Sequence, residues 1–362
     1  MSVTRNTKNV PYYLLGFGAH TQLGELVAAR RAAAGGGALY YVDRFFKDSA
    51  LIEKLPLSNE DHLIYVDTNR EPTVEYVDGL ADEARALFGA ALPCCIVGMG
   101  GGATLDVAKA VANLFTNPGK AEEYQGWDLV KHPAVYKIGV PTLSGTGAEC
   151  SRTCVLTNQR RKLKLGMNSD FTVYDQLVLD PSLARSVPRD QFFFTGMDTY
   201  MHCFESLLGS YRNVIVDRLS DSALSLCRDI FLGEEDMMSD ANLERMAVAS
   251  YLGGMAAGNV GVVHPISAGL SIVLHLPHGK ANCYALSVLQ DIYPKEHAEF
   301  MEMLSRHSIV LPKGICADLT DEQYDALYAG SIIHEKPLAN ALGPDFRRIL
   351  TKERLVALFK SM

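Results

Sequence analysis

A helix-flanked parallel α/β sheet followed by an all-helical domain is the fold class that the sequence predicts. Two observations carry it. Through the first half, short apolar runs of strand character alternate with helical segments, the pattern of a parallel sheet with crossover helices. After about Leu183 strand signals become scarce and long stretches keep helical periodicity. In order, Tyr12 to Gly16 reads as a strand, Leu23 to Arg31 as a helix, Leu39 to Asp43 and His62 to Asp67 as strands, and Val74 to Phe88 as a helix. Cys94 to Met99 is a further expected strand, Ala103 to Phe115 a helix and Tyr136 to Pro141 another strand. Turns such as GGG at 35–37 and NPG at 117–119 punctuate them. Asp217 to Phe231 and Leu243 to Ala257 are examples of the later helices. The segment DPSLARSVPRD, residues 180–190, carries two prolines and marks the crossing point. Residues 1–184 are therefore one expected domain and residues 185–362 the other.

Composition bounds the function. A chain of 362 residues is long for one domain and ordinary for two. With 48% hydrophobic and 21% charged residues it builds a sizeable core as a soluble globular protein. The start, Met1 to Val10, is polar with no apolar signal core behind it, and no apolar run reaches the roughly 18 residues that cross a bilayer. A net charge of −8 without a lysine- or arginine-rich block argues against nucleic acid as a partner. The eight cysteines follow no disulfide-like spacing, so reduced, buried thiols in a cytoplasmic protein are expected. Cys150 and Cys154 have a spacing that a zinc site could use, although no second pair accompanies them.

Two loops have the character of anion sites. In CCIVGMGGGATLDVAKA, residues 94–110, a buried strand runs through Gly100, Gly101 and Gly102 directly into a helix. Glycines let backbone N–H groups approach an anion, and the helix N-terminus adds partial positive charge. The spacing is neither G-x-G-x-x-G nor a P-loop; a phosphate site and a plain glycine-rich turn are both compatible with it. In GVPTLSGTGAE, residues 139–149, a strand again ends in small residues, with Thr142, Ser144 and Thr146 offering hydroxyls. Two such loops at the carboxyl ends of neighbouring strands would border one crevice of a Rossmann-like dinucleotide-binding domain. Asp43 ends the strand LYYVD and either accepts bonds from the ribose hydroxyls of NAD, repelling a 2′-phosphate, or caps the next segment.

A second constellation has metal-ligand chemistry. In TGMDTYMHCFES, residues 195–206, Asp198 and His202 are four apart and share a helix face. Downstream, HPISAGLSIVLHLPHG, residues 264–279, holds His264, His275 and His278. On one helix His264 and His278 would be about 21 Å apart. Two ligands of one ion must lie within a few ångströms, so the chain must turn between them, at Pro277 and Gly279. One carboxylate with three imidazoles suits Zn²⁺ or Fe²⁺; the alternative is a set of hydrogen-bonded core or surface histidines. His275 is either a proton carrier near the ion or a polar residue at a helix end.

These residues resemble the iron-containing, or group III, alcohol dehydrogenase family over nearly the whole chain. GGGATLD at 100–106 is similar to the family's GGGS-x-x-D pyrophosphate loop, with Ala103 where serine is usual. PTLSGTGAE at 141–149 is similar to its P-T-x-x-G-T-G-x-E nicotinamide-side loop, and GMDTYMHCFE at 196–205 to G-x-D-x-x-x-H-x-x-E. The resemblance implies a dinucleotide-binding α/β domain, an all-helical metal-binding domain and an active site in the cleft between them. It also implies Asp198, His202, His264 and His278 as metal ligands, Asp106 in the pyrophosphate loop and Lys164 near the cofactor. Two positions depart from the family pattern. Ala268 stands where many members have a second histidine, and EPT at 71–73 replaces N-P-T. EPTVEYVDG at 71–79, YQGWDLVKHP at 124–133 and TLSGTGAECSRT at 142–153 are most similar to one branch, the 3-deoxy-α-D-manno-octulosonate (Kdo) 8-oxidases.

The resemblance implies oxidation of a primary alcohol to an aldehyde, here the C8 hydroxyl of the sugar acid Kdo. The ion acts as Lewis acid on the substrate oxygen, and the hydride goes to NAD, favoured over NADP. Other readings are a general short-chain alcohol or polyol dehydrogenase, a dehydroquinate-synthase-like lyase and a metal or nucleotide sensor. A homodimer is the expected assembly, with a small-molecule alcohol or sugar acid as partner and neither nucleic acid nor membrane.

Overall fold

The computed structural model describes residues 8–362. They form two compact units that divide between Ser186 and Val187, except that Gly145–Gly147 group with the second.

The first unit runs β1 (Tyr12–Leu15), α1 (Leu23–Ala34), β2 (Leu39–Asp43), α2 (Ala50–Glu53), β3 (His62–Val66), α3 (Val74–Phe88), β4 (Ile96–Gly100), α4 (Gly102–Thr116), β5 (Gly126–Trp127), β6 (Lys137–Pro141), β7 (Thr153–Asn158), β8 (Leu163–Asn168) and β9 (Gln176–Leu179). One sheet has the order β1-β9-β6-β4-β2-β3 and is parallel throughout, with Tyr41 opposite Gly98 and Met99 opposite Val140. Helices cover both faces, so β4 and β6 are buried at every position. The two-residue period of a strand sorts its side chains between two cores. Leu39 and Tyr41 join Val77, Leu80, Val107 and Val111 of α3 and α4, whereas Tyr40 and Val42 join Leu23 and Val27 of α1. Because all six strands run one way, their carboxyl ends share an edge where α/β sheets bind ligands. Asp43, Gly100 and Pro141 end their strands there.

A smaller sheet, β5-β8-β7, contains an antiparallel hairpin that the sequence reading did not identify. Its connection, QRRK at 159–162, has none of the Asn-Gly or Asp-Gly chemistry that marks a short hairpin. Lys109 of α4 fastens the start of this hairpin. The wholly buried ammonium donates to the carbonyl oxygens of Ala148 (2.8 Å), Ser151 (3.1 Å) and Thr153, and lies 3.7 Å from Asp106. Asp106 in turn accepts from the backbone N–H of Val155 at 2.8 Å.

The second unit is helical. It comprises α5 (Arg189–Leu208), α6 (Val214–Phe231), α7 (Asp240–Gly254), α8 (Val263–Leu274), α9 (His278–Ser287), α10 (Pro294–Arg306), α11 (Asp321–Ile332), α12 (Glu335–Leu342), α13 (Phe346–Ile349) and α14 (Lys352–Lys360). Side-chain caps start several of them: Asn213 accepts from Val216 N, and Ser239 from Asn242 N. Helix α5 lies at the centre, packed by α6, α7 and α9, and every residue from Phe192 to Ser206 is buried. A helix without a solvent face is a core helix. Among the described residues no helix is long and apolar enough to cross a membrane.

Lys109→Met removes the donor from three buried carbonyls and leaves Asp106 without its cation. We expect a loss of about 3–5 kcal/mol, read from a lowered urea midpoint. A midpoint equal to wild type would show that another group holds the 148–153 segment.

Candidate metal centre

Helix α5 is an improbable place for charge, yet Asp198, His202 and Glu205 are all buried within it. They are spaced four and three apart and share one face. Groups of this kind stay inside a protein only when paired or coordinating. Two other helices supply their partners. His264 is the second residue of α8 and His278 the first of α9. Between them α8 stops at Leu274, His275 takes a left-handed conformation (φ 56°, ψ 28°), and Pro277 (φ −56°, ψ 140°) restarts the chain as α9. The turn expected from Pro277 is present.

Three imidazoles gather around one carboxylate oxygen. Asp198 Oδ1 lies 3.1 Å from His264 Nε2, 3.4 Å from His202 Nε2 and 3.6 Å from His278 Nε2. Bonds of about 2.0–2.1 Å in a tetrahedron place donors about 3.4 Å apart, so these separations fit an ion. Asp198, His264 and His278 offer ligand atoms that all lie within 4.8 Å of one another. His202 stands outside that mutual group, its ring stacked on His264 with centroids 4.6 Å apart and 13° between planes. Full four-fold closure requires a shift of the His202 ring.

The electrostatics agree with a cation site. Burial opposes ionisation of Asp198, but His202, His278 and His264 outweigh it and hold the carboxyl below its usual range. Burial drives His202 down to about 4 against the pull of Asp198, leaving a neutral imidazole. Burial also disfavours charge on His264, yet hydrogen bonds to Asp198 and Glu205 raise it to about 9. A metal bound here would compete with a proton at His264, since only the neutral ring coordinates.

Residues without a role in the sequence reading hold these ligands. Glu205 Oε2 accepts from His264 Nδ1 at 2.6 Å, which leaves Nε2 to face Asp198. Glu205 Oε1 accepts from Val263 N (2.7 Å) and from the Tyr293 hydroxyl (3.0 Å). Asn282 Nδ2 donates to Asp198 Oδ1 at 2.7 Å. The available signal was helical spacing: Glu205 follows His202 by three and Asn282 follows His278 by four. His275 is exposed, and among the described residues none of the contacts given above joins it to this cluster. Cys150 and Cys154 are buried, burial pushes both thiols up, and neither belongs to a metal grouping among the described residues.

The nucleotide-type loops lie in the first unit. Thr142 N donates to Gly100 O at 3.0 Å, so the loops after the neighbouring strands β4 and β6 are adjacent. A Cβ at Gly100 would come within 2.6 Å of Thr104 Cβ and 3.0 Å of Asp43 Cβ, which places Asp43 beside the turn. Gly101 precedes α4 and Gly102 opens it. Thr142 and Ser144 are buried. The Asp43 carboxylate accepts from Phe45 N (3.0 Å) and the Thr68 hydroxyl (3.1 Å), so it caps as well as bordering the glycines. Thr104 Oγ1, Asp106 Oδ1 and Lys164 Nζ are buried without hydrogen-bond partners, and Lys164 lies 3.3 Å from Glu71. Burial raises the Asp106 carboxyl to about 6. A glycine turn opening a helix, with the buried and unbonded Thr104 hydroxyl against Gly100, fits a phosphate of a dinucleotide. Thr146 belongs to the 145–147 tip, which groups with the helical unit. There Gly145 N donates to Ser250 Oγ (2.7 Å) and Gly145 O accepts from Thr199 Oγ1 (2.5 Å), next to Asp198.

A parallel-sheet unit with a glycine-rich turn and a helical unit with one carboxylate among three imidazoles are the features of a two-domain class of α/β proteins. The model of the iron-containing alcohol dehydrogenases matches residues 11–181, and that of the C-terminal part of the Fe-containing alcohol dehydrogenase family matches residues 192–329. The chain belongs to the iron-containing alcohol dehydrogenase family. It is 34% identical to sulfoacetaldehyde reductase of Bilophila wadsworthia over 64% of this chain and 59% of that protein. It is 31% identical to alcohol dehydrogenase 4 of Saccharomyces cerevisiae over 54% of this chain and 52% of that protein. The matches thus span little more than half the length of these relatives. A solved sulfoacetaldehyde reductase from Bifidobacterium kashiwanohense, in complex with NAD⁺, superposes with a TM-score of 0.79 at 21% identity, over 99% of this chain and 98% of its own. That likeness establishes the expected fold.

Glu205→Gln weakens the hold on His264. We expect metal affinity to fall about 10–100-fold, measured by chelator competition, with the thermal transition of the metal-free protein retained. Unchanged affinity would reduce Glu205 to a packing role.

Proposed function

We propose that the protein interconverts a primary alcohol and its aldehyde with a divalent metal and a nicotinamide dinucleotide. The observation that carries the reading is the convergence of three imidazole nitrogens on Asp198 Oδ1 at 3.1–3.6 Å inside a buried helix bundle. Asp198, His202, His264 and His278 would hold Zn²⁺ or Fe²⁺, a set of three nitrogens and one oxygen that suits either. When bound, the ion supplies Lewis acidity toward the substrate oxygen and the nicotinamide accepts or returns hydride. The chain supplies position. Glu205 fixes the His264 tautomer, Gly100–Gly102 and Asp106 form the phosphate cradle, and Thr142, Ser144, Thr146 and Lys164 serve the cofactor. With Ala268 unable to carry a proton, His275, the histidine three residues before His278, is the proton carrier by sequence position.

The substrate we propose is the C8 hydroxyl of Kdo, giving the 8-aldehyde. Its support is the similarity of segments 71–79, 124–133 and 142–153 to the Kdo 8-oxidase branch. The names of the relatives reported above carry an alcohol and sulfoacetaldehyde instead. We further propose a cytoplasmic homodimer. Eight buried cysteines without disulfide-like spacing support the compartment. Strand β1, at the edge of the sheet among the described residues and presenting Tyr12 and Tyr13 to solvent, supports an interface between copies.

Metal-loaded protein with NAD⁺ should raise NADH absorbance with Kdo, and more slowly with propanol. NADH oxidation by sulfoacetaldehyde without any response to Kdo would replace the sugar acid as substrate. His264→Ala and His278→Ala should each abolish metal retention and turnover together; full turnover in stripped protein would sink the metal mechanism.

Asp43→Ala should erode the preference for NAD⁺ over NADP⁺, because the repulsion of a 2′-phosphate is lost. An unchanged ratio of kcat/KM values would leave Asp43 with its capping bonds alone.

A further inference from the structure

We propose that Asn282 is a positioning residue that decides which oxygen of Asp198 faces the histidines and limits that carboxylate to one-oxygen coordination. The inference rests on the metal reading above. A carboxylate offers two equivalent oxygens and can bind a cation through one or both. Here the two are made unequal. Oδ1 receives the Asn282 amide at 2.7 Å and faces His264, His202 and His278. Oδ2 is buried with no hydrogen-bond partner.

Geometry sets the amide in place from a separate helix. Asp198 is on α5 and Asn282 on α9, both inaccessible to solvent. Their helices approach closely: a Cβ at Gly279, one turn before Asn282, would come within 2.5 Å of Phe194 O on α5. The same Nδ2 lies 3.4 Å from His278 Nε2, so one amide stands between two ligands contributed by two helices. A hydrogen bond to a charged acceptor is short and strong, and it fixes the carboxylate plane. It occupies one lone pair of Oδ1 and leaves the other for the cation. Packing alone does not account for the amide. Asn282 Oδ1 is itself buried without a partner, whereas leucine would fill similar space with no unsatisfied oxygen.

The test uses full-length protein stripped of metal and titrated with Co²⁺. Asn282→Leu removes the donor while keeping volume, and Asn282→Ser restores a shorter donor. Wild type should take one Co²⁺ per chain with intense visible bands of low coordination number. Asn282→Leu should bind about 10–100-fold more weakly, with weakened bands as both Asp198 oxygens engage, and Asn282→Ser should fall between. Wild-type affinity and spectrum in Asn282→Leu would overturn the proposal. If that variant does not fold, a wild-type spectrum and affinity in Asn282→Ser would overturn it. Absence of Co²⁺ binding by wild type would instead overturn the metal reading itself.

Discussion

A carboxylate inside a helix that has no solvent face is the constraint on which the rest of the helical unit depends. Asp198 is held ionised against its burial by the imidazoles from α5, α8 and α9 that surround it, with the Asn282 amide donating to it as well. Those imidazoles have requirements of their own. His264 carries its Nδ1 proton toward Glu205, and Glu205 needs Val263 N and Tyr293 to be tolerated in the core. The break at His275 to Pro277 then follows, because His278 reaches the same point only if α8 ends early. The bundle is thereby arranged around a charge that a divalent cation would complete.

The sheet unit solves a different problem with backbone rather than side chains. Its parallel strands end along one edge, and the loops after β4 and β6 meet there through Thr142 N and Gly100 O. Lys109 and Asp106 extend that order into the β7–β8 hairpin, which carries Lys164. The departure from N-P-T at position 71 acquires a physical partner. Glu71 pairs with Lys164, so a cation expected near the cofactor has a carboxylate beside it.

Much of this was legible in the sequence where period and punctuation agree. LYYVD is a short apolar run ended by an aspartate and so reads as a strand, and Pro277 with the impossible 264–278 helix required a turn. The spacing of Asp198 and His202 placed both on one face. What stayed hidden depends on burial and partners in three dimensions. Thr153–Asn158 and Leu163–Asn168 pair with each other through a loop lacking hairpin residues, so nothing local announced the second sheet. Glu205 and Asn282 sit at helical spacings from His202 and His278, yet spacing cannot distinguish a solvated polar face from one sealed in a core. Asp43 could be read as cap or cofactor contact, and its position serves the first while remaining open to the second.

X-ray absorption at the metal edge tests the central claim most directly. Protein carrying the Zn²⁺ or Fe²⁺ that it retains on purification should show only nitrogen and oxygen neighbours at about 2.0–2.2 Å, with the outer-shell scattering of three imidazoles. A sulfur neighbour at about 2.3 Å, or a single imidazole, would contradict a centre built on Asp198, His202, His264 and His278.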